Sequence, residues 1–357
     1  MKKVQFSQEK DLFFLELQIQ VKDYLAHSKH TQFGNWKIYL KTIFFLSLAV
    51  VNYVLILKTS PGWFHYGLWG IQGFLFACIG FNVMHDGAHG SFSETKTWNT
   101  FAGYTLNLMG CSVFHWKVKH NFFHHTYTNI NEHDDDIYIL PIIRTNLDQP
   151  VKSFHRYQHI YGPLAYMLTY VLWVWFQDFE KYFTRKVGVQ KIPSHSKMKI
   201  SDHVIFWITK IMHAVLFFVF PIMVHGFVST LVGYVIFVAV CGLFIAIIFQ
   251  LAHVVSGVLF ETISENNSQL ESFGKHQLAT TADFSVDSKV AEFLFGGLNY
   301  QVEHHLFPRI SHVHYPAIQK IVEKTAKEFG LEYHSFPTIW KAIQEHFLYL
   351  KFVGNAP

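Results

Sequence analysis

The residues best able to do chemistry in this sequence are histidines that occur in three short clusters. The first cluster is HDGAH, from His85 to His89, and the second is HNFFHH, from His120 to His125. The third, QVEHH at 301–305, follows a long apolar interval. Residues four apart share one face of a helix, so His85 and His89 can converge on one point. Neutral imidazole is the commonest metal ligand in proteins, and the clusters therefore predict a metal site.

A further histidine, His253, ends the apolar run FQLAH. A single histidine on an apolar helix is usually a hydrogen-bonded core residue, but its place at the end of a membrane span favours a ligand role. Neighbouring imidazoles on a helix point ~100° apart, so each adjacent pair can face two metals. The candidate ligands exceed the needs of one metal, and we predict two. These ligands are His85, His89, His120, His124, His125, His253, His304 and His305, and all except His253 are also candidate catalytic residues.

Ligand type narrows the metal without fixing it, because imidazole suits zinc, copper, iron and nickel. The zinc-protease pattern HExxH and the nucleophile elbow GxSxG are both absent from the sequence. Carboxylates adjoin the clusters, and their expected role is to accept the second ring N–H of a ligand histidine. For the acidic turn at 134–136, a solvated turn outside the site is the alternative. The carboxylates expected behind the ligands are Asp86, Asp134, Asp136 and Glu303.

The composition of the chain indicates a membrane protein. Of its 357 residues, 50% are apolar, 18% aromatic and 15% charged, whereas a soluble domain carries roughly 25% charged residues. The net charge of +4 is mild, and there is no basic tract suited to nucleic acid. Cys78, Cys111 and Cys241 lie in apolar stretches without a CxxC pair, which predicts buried thiols and no thiolate metal site.

Four apolar runs are long enough to cross a bilayer, which takes ~20 apolar residues. We predict spans at 38–57, 67–84, 204–225 and 230–253, arranged as two hairpins. The segments 97–114 and 160–177 are ambiguous. If 160–177 alone crossed, the last histidine cluster would face the opposite side from the first. Either both segments cross or neither does, and we expect that neither crosses and that both lie in or on the membrane interface.

The distribution of lysine and arginine predicts the orientation, because cytoplasmic loops carry an excess of both. The loop 58–66 carries only Lys58, and the loop 225–230 carries no lysine or arginine. The segments with the histidine clusters carry many. We therefore expect a multi-pass membrane protein with both termini and all three clusters on the cytoplasmic side.

Residues 1–37 are expected to form an N-terminal amphipathic cytoplasmic segment. Acidic and basic residues break its apolar runs, so no signal peptide is indicated. Phe14, Leu17, Val21 and Leu25 recur at helical spacing. The helix can lie on the membrane surface or pack on the protein body, and both alternatives stay open.

Residues 38–357 are expected to form one membrane domain, with cytoplasmic histidine clusters at 85–125 and 301–305. The predicted fold class is all-α and integral to the membrane. It comprises four transmembrane helices in two hairpins, interfacial helices and a cytoplasmic cap that is rich in histidine and holds two metals.

The motifs HDGAH, KHNFFHHTYTN followed by DDD, and GGLNYQVEHHLFP resemble those of the membrane fatty acid desaturase family. The resemblance covers nearly the whole chain, including the order of the clusters and the histidine of QLAH. It is nearest to front-end desaturases of the linoleoyl-CoA, delta-6 type without a fused cytochrome b5 domain, because the third cluster begins with Gln301. The resemblance implies two Fe ions, activation of O2 and formation of a cis double bond in a CoA-linked or lipid-linked acyl chain.

Two departures from the wider family bear on the site and its electron supply. Gln301 stands where many relatives have a histidine, so it is expected beside the metal, in direct contact or through a water. The HPGG motif of a cytochrome b5 domain is absent, so the resemblance implies a separate donor of ferredoxin or cytochrome b5 type.

A lipid hydroxylase on the same scaffold remains an alternative. A membrane zinc hydrolase or a metal transporter is a more distant one, and a transporter is expected to place ionisable residues deep in its spans.

Overall fold

The computed structural model describes residues 4–7, 9–27, 31–262 and 269–357, and helices dominate these ranges. The helices of the first half are α1 (Leu12–His27), α2 (Trp36–Lys58), α3 (Trp63–Ile79), α4 (His85–His89), α5 (Lys96–Leu108), α6 (Val113–Lys117), α7 (Gln158–Met167), α8 (Thr169–Leu172) and α9 (Asp178–Thr184). Those of the second half are α10 (Ile200–Ala214), α11 (Phe220–His225), α12 (Phe227–His253), α13 (Phe273–Thr280), α14 (Lys289–Phe295), α15 (Gln301–Leu306), α16 (Tyr315–Glu328) and α17 (Ile339–Asn355).

Wider and tighter helical turns connect several of these helices. The π-helical turns are Gly80–Met84, Val118–His124, Trp173–Gln177 and Val215–Val219, and the 3₁₀ turns are Ser153–Tyr157 and His312–His314. The strands are only two residues long. Gln5–Phe6 pairs with Gln269–Leu270 and Asp283–Phe284 with Ser335–Phe336, both in parallel, while Lys186–Val187 pairs antiparallel with Gln190–Lys191.

Four of the described helices are long and apolar enough to cross a membrane. They are Trp36–Lys58, Trp63–His89, Ile200–His225 and Phe227–His253, and each contains one of the four predicted spans. The two ambiguous segments form shorter helices, α5 and the interrupted series α7 to α9, and neither adds a spanning helix within the described ranges. The predicted all-α membrane fold is confirmed.

The chain divides into two compact units. The first unit comprises Met1–Gly34, Lys119–Ile160 and Ile248–Pro357, and the second comprises Asn35–Val118 and Tyr161–Ile247. The predicted division at residues 37 and 38 differs from this one, because the first unit is assembled from three separate stretches of chain. The predicted N-terminal segment also includes residues 1–3, 8 and 28–30, which lie outside the described residues.

Within the second unit, small residues let two spans approach closely. A Cβ atom on Gly73 would lie 2.3 Å from the carbonyl oxygen of Phe237. One on Gly233 would lie 2.3 Å from Nε1 of Trp69. The helices Trp63–His89 and Phe227–His253 therefore pack backbone against backbone at Gly73 and backbone against side chain at Gly233, as small residues at membrane helix interfaces allow.

A buried ion pair adds to this packing. Nζ of Lys210 lies 2.8 Å from Oδ2 of Asp178 and 2.6 Å from the carbonyl oxygen of Gly110. It also donates to the carbonyl oxygen of Val174 at 2.5 Å. The ammonium group of Lys210 in α10 thus has three hydrogen-bond acceptors. A buried ion pair is stable only when its charged groups are hydrogen-bonded in this way.

In the first unit, α1 packs on the protein body. Phe13, Leu17 and Val21 are buried in one apolar cluster with Ile318 and Val322 of α16. The helix therefore uses its apolar stripe for packing within the unit, which decides between the two alternatives left open by its sequence.

Candidate metal centre

The second histidine cluster lies on the π-helical turn Val118–His124. The rings of His120 and His124 stack with centroids 5.0 Å apart. Nε2 of His120 also lies 3.3 Å from Nε2 of His125. On a regular α-helix, a residue five positions on points ~140° away. A π turn bonds residue i to i+5, so it is this turn that brings His125 back toward His120.

Two aspartates lie directly behind this cluster. Nδ1 of His124 is 2.9 Å from Oδ2 of Asp134, and Nδ1 of His120 is 2.9 Å from Oδ2 of Asp136. Asp134 is buried and also accepts the backbone N–H of Asn129 at 3.0 Å. A carboxylate acceptor keeps the proton on Nδ1, which leaves the Nε2 lone pair for a metal. The acidic turn therefore lies against the imidazoles and is not a solvated loop.

The charges around Asp136 keep this carboxylate ionised. Burial by itself raises the pKa of Asp136, but the Lys119 ammonium and His120 together hold that pKa well below its usual value. Burial lowers the pKa of His124, and the Asp134 carboxylate more than offsets it, so the pKa of His124 is raised. The carboxylate behind His120 thus stays charged at neutral pH.

The ring nitrogens of His124 and His305 face each other across a short gap. Their Nε2 atoms are 3.2 Å apart. Nδ1 of His305 is 2.8 Å from Oε1 of Gln277, as Nδ1 of His124 is 2.9 Å from Asp134. Both Nδ1 atoms donate to acceptors, so both Nε2 atoms present lone pairs. Two lone pairs at this distance repel each other unless a cation is shared between them.

His253 completes this group. Its ring centroid lies 4.7 Å from that of His124 and 4.9 Å from that of His305. Neither of its ring nitrogens has a hydrogen-bond partner among the residues that the structure describes. One ligand atom from each of the three histidines lies within 4.8 Å of the others. Buried polar atoms without partners are costly, so this arrangement fits a bound metal ion.

His304 forms a neighbouring group with two histidines of the second cluster. The ring of His304 lies 4.5 Å from that of His125 and 6.0 Å from that of His120, between centroids. Nδ1 of His304 lies 3.1 Å from the hydroxyl oxygen of Tyr315. The adjacent pair His304 and His305 therefore points toward two different groups.

The first cluster lies at the end of a spanning helix in the second unit. The rings of His85 and His89 have centroids 4.6 Å apart, and both lie against Trp116. A Cβ atom on Gly87 would lie 2.5 Å from Cβ of Ala102, so glycine is required where α5 crosses. The buried carboxylate of Asp86 is 3.9 Å from Nδ1 of His85, which is too long for a hydrogen bond.

Gln301 and Glu303 begin the helix of the third cluster. Gln301 is buried, and its side-chain oxygen has no hydrogen-bond partner within the described part of the chain. Glu303, which was expected to accept a ring N–H of a ligand histidine, instead lies 3.2 Å from the Tyr333 hydroxyl. Burial and the nearby Asp283 carboxylate raise the pKa of Glu303 well above its usual value. Adjacent side chains of a short helix point in different directions, so Glu303 faces away from His304.

Sequence reasoning missed several residues that contact the ligands. Gln277 and Thr128 lie behind His305, and Tyr315 lies beside His304. Gln277 belongs to α13, which has no spacing relation to any cluster and reads as an ordinary polar helix. Only its complete burial distinguishes it, and burial is not visible in the sequence.

These observations define a class of protein: a helical membrane protein with clustered imidazoles, two of which are backed by carboxylates, and with histidines at the ends of two spanning helices. The chain matches the family model described as fatty acid desaturase over residues 13–337. It is 36% identical over 353 residues to an acyl-lipid (8-3)-desaturase of Physcomitrium patens, covering 97% of this chain and 72% of the relative. It is 32% identical over 349 residues to an sn-1 linoleoyl-lipid 6-desaturase of Arthrospira platensis, covering 97% and 93%. A protein of the same name from Synechocystis is 29% identical over 360 residues, covering 99% and 98%.

This chain belongs to the fatty acid desaturase family. The resemblance of the histidine motifs to this family is thereby confirmed. The protein is an integral membrane oxidoreductase that desaturates fatty acyl chains.

Proposed function

We propose that this protein is a di-iron, O2-dependent acyl-lipid desaturase that forms a cis double bond in a lipid-linked acyl chain. Its family membership supports desaturation as the reaction. The names of the relatives from Physcomitrium, Arthrospira and Synechocystis support a lipid-linked substrate. The observation that carries the metal proposal is the convergence of three buried ring nitrogens from His124, His253 and His305.

The histidines divide into two proposed ligand sets. His124, His253 and His305 hold one ion. His120 and His304 belong to the other, and His125 lies between the sets, with ring centroids 4.4 Å from His305 and 4.5 Å from His304. His85 and His89 of the second unit are proposed as further metal ligands, because a pair four residues apart on a helix presents both rings to one point.

The chemistry of the donors supports iron as the metal. Neutral imidazoles suit iron, and Asp134 and Asp136 keep the proton on Nδ1 so that Nε2 can bind. Bound iron would supply the oxidant derived from O2 that breaks an aliphatic C–H bond, which redox-inert zinc cannot. The residues of the chain hold the ligands, exclude water and keep the ring protons away from the metal.

The electrons are proposed to come from a separate donor of ferredoxin or cytochrome b5 type. The three cysteines, Cys78, Cys111 and Cys241, are all buried in apolar surroundings and are too few for an iron–sulfur cluster with four thiolates. The histidine clusters and both ends of the chain are proposed to face the cytoplasm, the side from which such a donor would deliver electrons. The positions of lysine and arginine support this orientation.

Metal content and product analysis test the proposal together. Elemental mass spectrometry of the detergent-purified protein is expected to find iron near two per chain. His124→Ala and His305→Ala should lower that content and abolish desaturation. His155→Ala is the matched control, because His155 is a buried histidine of the same unit that donates to the carbonyl oxygen of Pro141.

The outcome that would contradict the proposal is full iron and full activity in either ligand variant. New unsaturated chains should appear first in membrane glycerolipids of an expressing host. Their appearance in the acyl-CoA pool alone would contradict the substrate, and hydroxylated chains would contradict the reaction.

A further inference from the structure

Gln277 lies in α13 directly behind His305 and touches two histidine clusters. Its Nε2 donates to the backbone carbonyl of His125 at 3.1 Å. Its Oε1 lies 2.8 Å from Nδ1 of His305 and 2.9 Å from Oγ1 of Thr128. All four residues are buried, so water does not compete for these bonds.

The carbonyl of His125 determines which way the Gln277 amide faces. A carbonyl oxygen only accepts, so the amide must present its NH2 group to His125. The amide oxygen then faces His305, and it also only accepts. Nδ1 of His305 must therefore carry the proton, which places the lone pair on Nε2. This logic uses the hydrogen-bond network alone, which is how amide and imidazole assignments are made.

Other contacts hold Gln277 in this position. Oγ1 of Thr128 also lies 2.8 Å from the carbonyl oxygen of His124, so its one proton is shared between that oxygen and Oε1 of Gln277. The imidazole of the neighbouring His276 donates to the backbone carbonyl of Thr128 at 3.0 Å. Helix α13 is thereby joined to the second cluster on both sides of the Gln277 amide, which leaves the amide little freedom to turn.

We propose that Gln277 is a positioning residue that selects the Nδ1-protonated tautomer of His305 and fixes the direction of its Nε2 lone pair. The inference rests on the proposed function, since it assumes that His305 binds a metal ion. For this histidine, Gln277 has the role that Asp134 has for His124. Its neutral amide does so without adding a charge to the site. Loss of such a partner behind a ligand histidine typically weakens metal affinity 10- to 100-fold.

The test is the iron affinity of the full-length protein, measured by competition with a chelator. Gln277→Met keeps the length of the side chain and removes both hydrogen bonds, so we expect affinity to fall about 10- to 100-fold. Gln277→Glu keeps an acceptor facing Nδ1 and should restore most of the loss. Equal losses in Gln277→Met and Gln277→Glu would overturn the inference, because a merely structural role does not depend on the acceptor.

A double variant separates tautomer selection from general packing. Once His305→Ala has removed the ligand, adding Gln277→Met should change iron affinity no further. An additional loss of the same size would show that Gln277 acts on the fold and not through His305. Gln158→Met is the matched control. Gln158 is a buried residue of the same unit, and its side-chain amide bonds the backbone of Arg144 and Leu350. The iron affinity of the Gln158→Met protein should match that of the wild type.

The two proposals fail in different ways. Unchanged iron in His305→Ala would refute the ligand assignment itself. Iron lost in His305→Ala but retained at wild-type affinity in Gln277→Met would refute only the role of Gln277.

Discussion

At the scale of single residues, hydrogen-bond acceptors determine which ring nitrogen of a histidine carries the proton. Asp134, Asp136 and Gln277 each accept from the Nδ1 atom of a different histidine. The histidines and the two aspartates could be identified from sequence because they lie close together along the chain. Gln277 could not, because the chain brings it to His305 only through tertiary packing.

Removing the charge behind His124 should weaken the metal site. In Asp134→Asn, an amide replaces the carboxylate that accepts from Nδ1, and the raised pKa of His124 loses its cause. We expect iron affinity to fall about 10- to 100-fold while the protein remains inserted in the membrane. Chelator competition measures the change. Asp148→Asn, at an exposed carboxylate that contacts Thr262, should leave affinity unaltered. An unchanged affinity in Asp134→Asn would exclude a role for this carboxylate in the site.

At the scale of elements, the spans were predictable and the π turns were not. Long apolar runs determined the four spanning helices because hydrophobicity is a property of the sequence itself. The helical spacing of four explains why His120 stacks on His124. It does not explain the approach of His125 to His120, which depends on the wider turn at Val118–His124. No residue in this segment signals such a turn in advance.

A single asparagine joins three elements around the second cluster. The side-chain Nδ2 of Asn129 lies 3.0 to 3.2 Å from the carbonyl oxygens of His253, Leu259 and Thr280, which share its two protons. Its backbone φ of 57° lies in the left-handed region, which asparagine tolerates better than most residues. These bonds link the end of α12, the loop after it and α13.

Asn129→Ala should therefore destabilise the first unit. It leaves buried carbonyls without donors and places alanine in a left-handed backbone, at a combined cost of roughly 3 kcal/mol. Thermal unfolding of the detergent-purified protein should show a lower Tm. Asn129→Asp tolerates the backbone but buries a carboxylate against the same carbonyl oxygens, so its Tm should fall at least as far. A Tm of Asn129→Ala equal to the wild type would show that these bonds contribute nothing to stability.

At the scale of the whole molecule, composition and motif order determined the class of protein. The fold and the family could be predicted from the low charge, the four spans and the three histidine clusters. The division into two interleaved units could not be predicted, because it depends on contacts between segments far apart in the chain. The N-terminal helix illustrates this, since its partner α16 begins about 300 residues later.

The proposed orientation can be tested by cysteine labelling, because the three native thiols are buried. Ser60 lies exposed between the first two spans, and Ser335 lies exposed in the first unit. A membrane-impermeant maleimide should label Ser60→Cys in intact cells and Ser335→Cys only after permeabilisation. The reverse pattern would place the histidine clusters on the outer side, and the proposal of a cytoplasmic electron donor would fail.

The three-part construction of the first unit has a consequence for how the protein is made. The ribosome releases α1 before the stretch with the second cluster, and it releases the third cluster after both. His124 is therefore synthesised 181 positions before His305, whose ring it faces. The proposed ligand set can form only after the stretch with His305 has left the ribosome and folded back. If these histidines bind the metal as proposed, metal loading must follow the synthesis of that stretch.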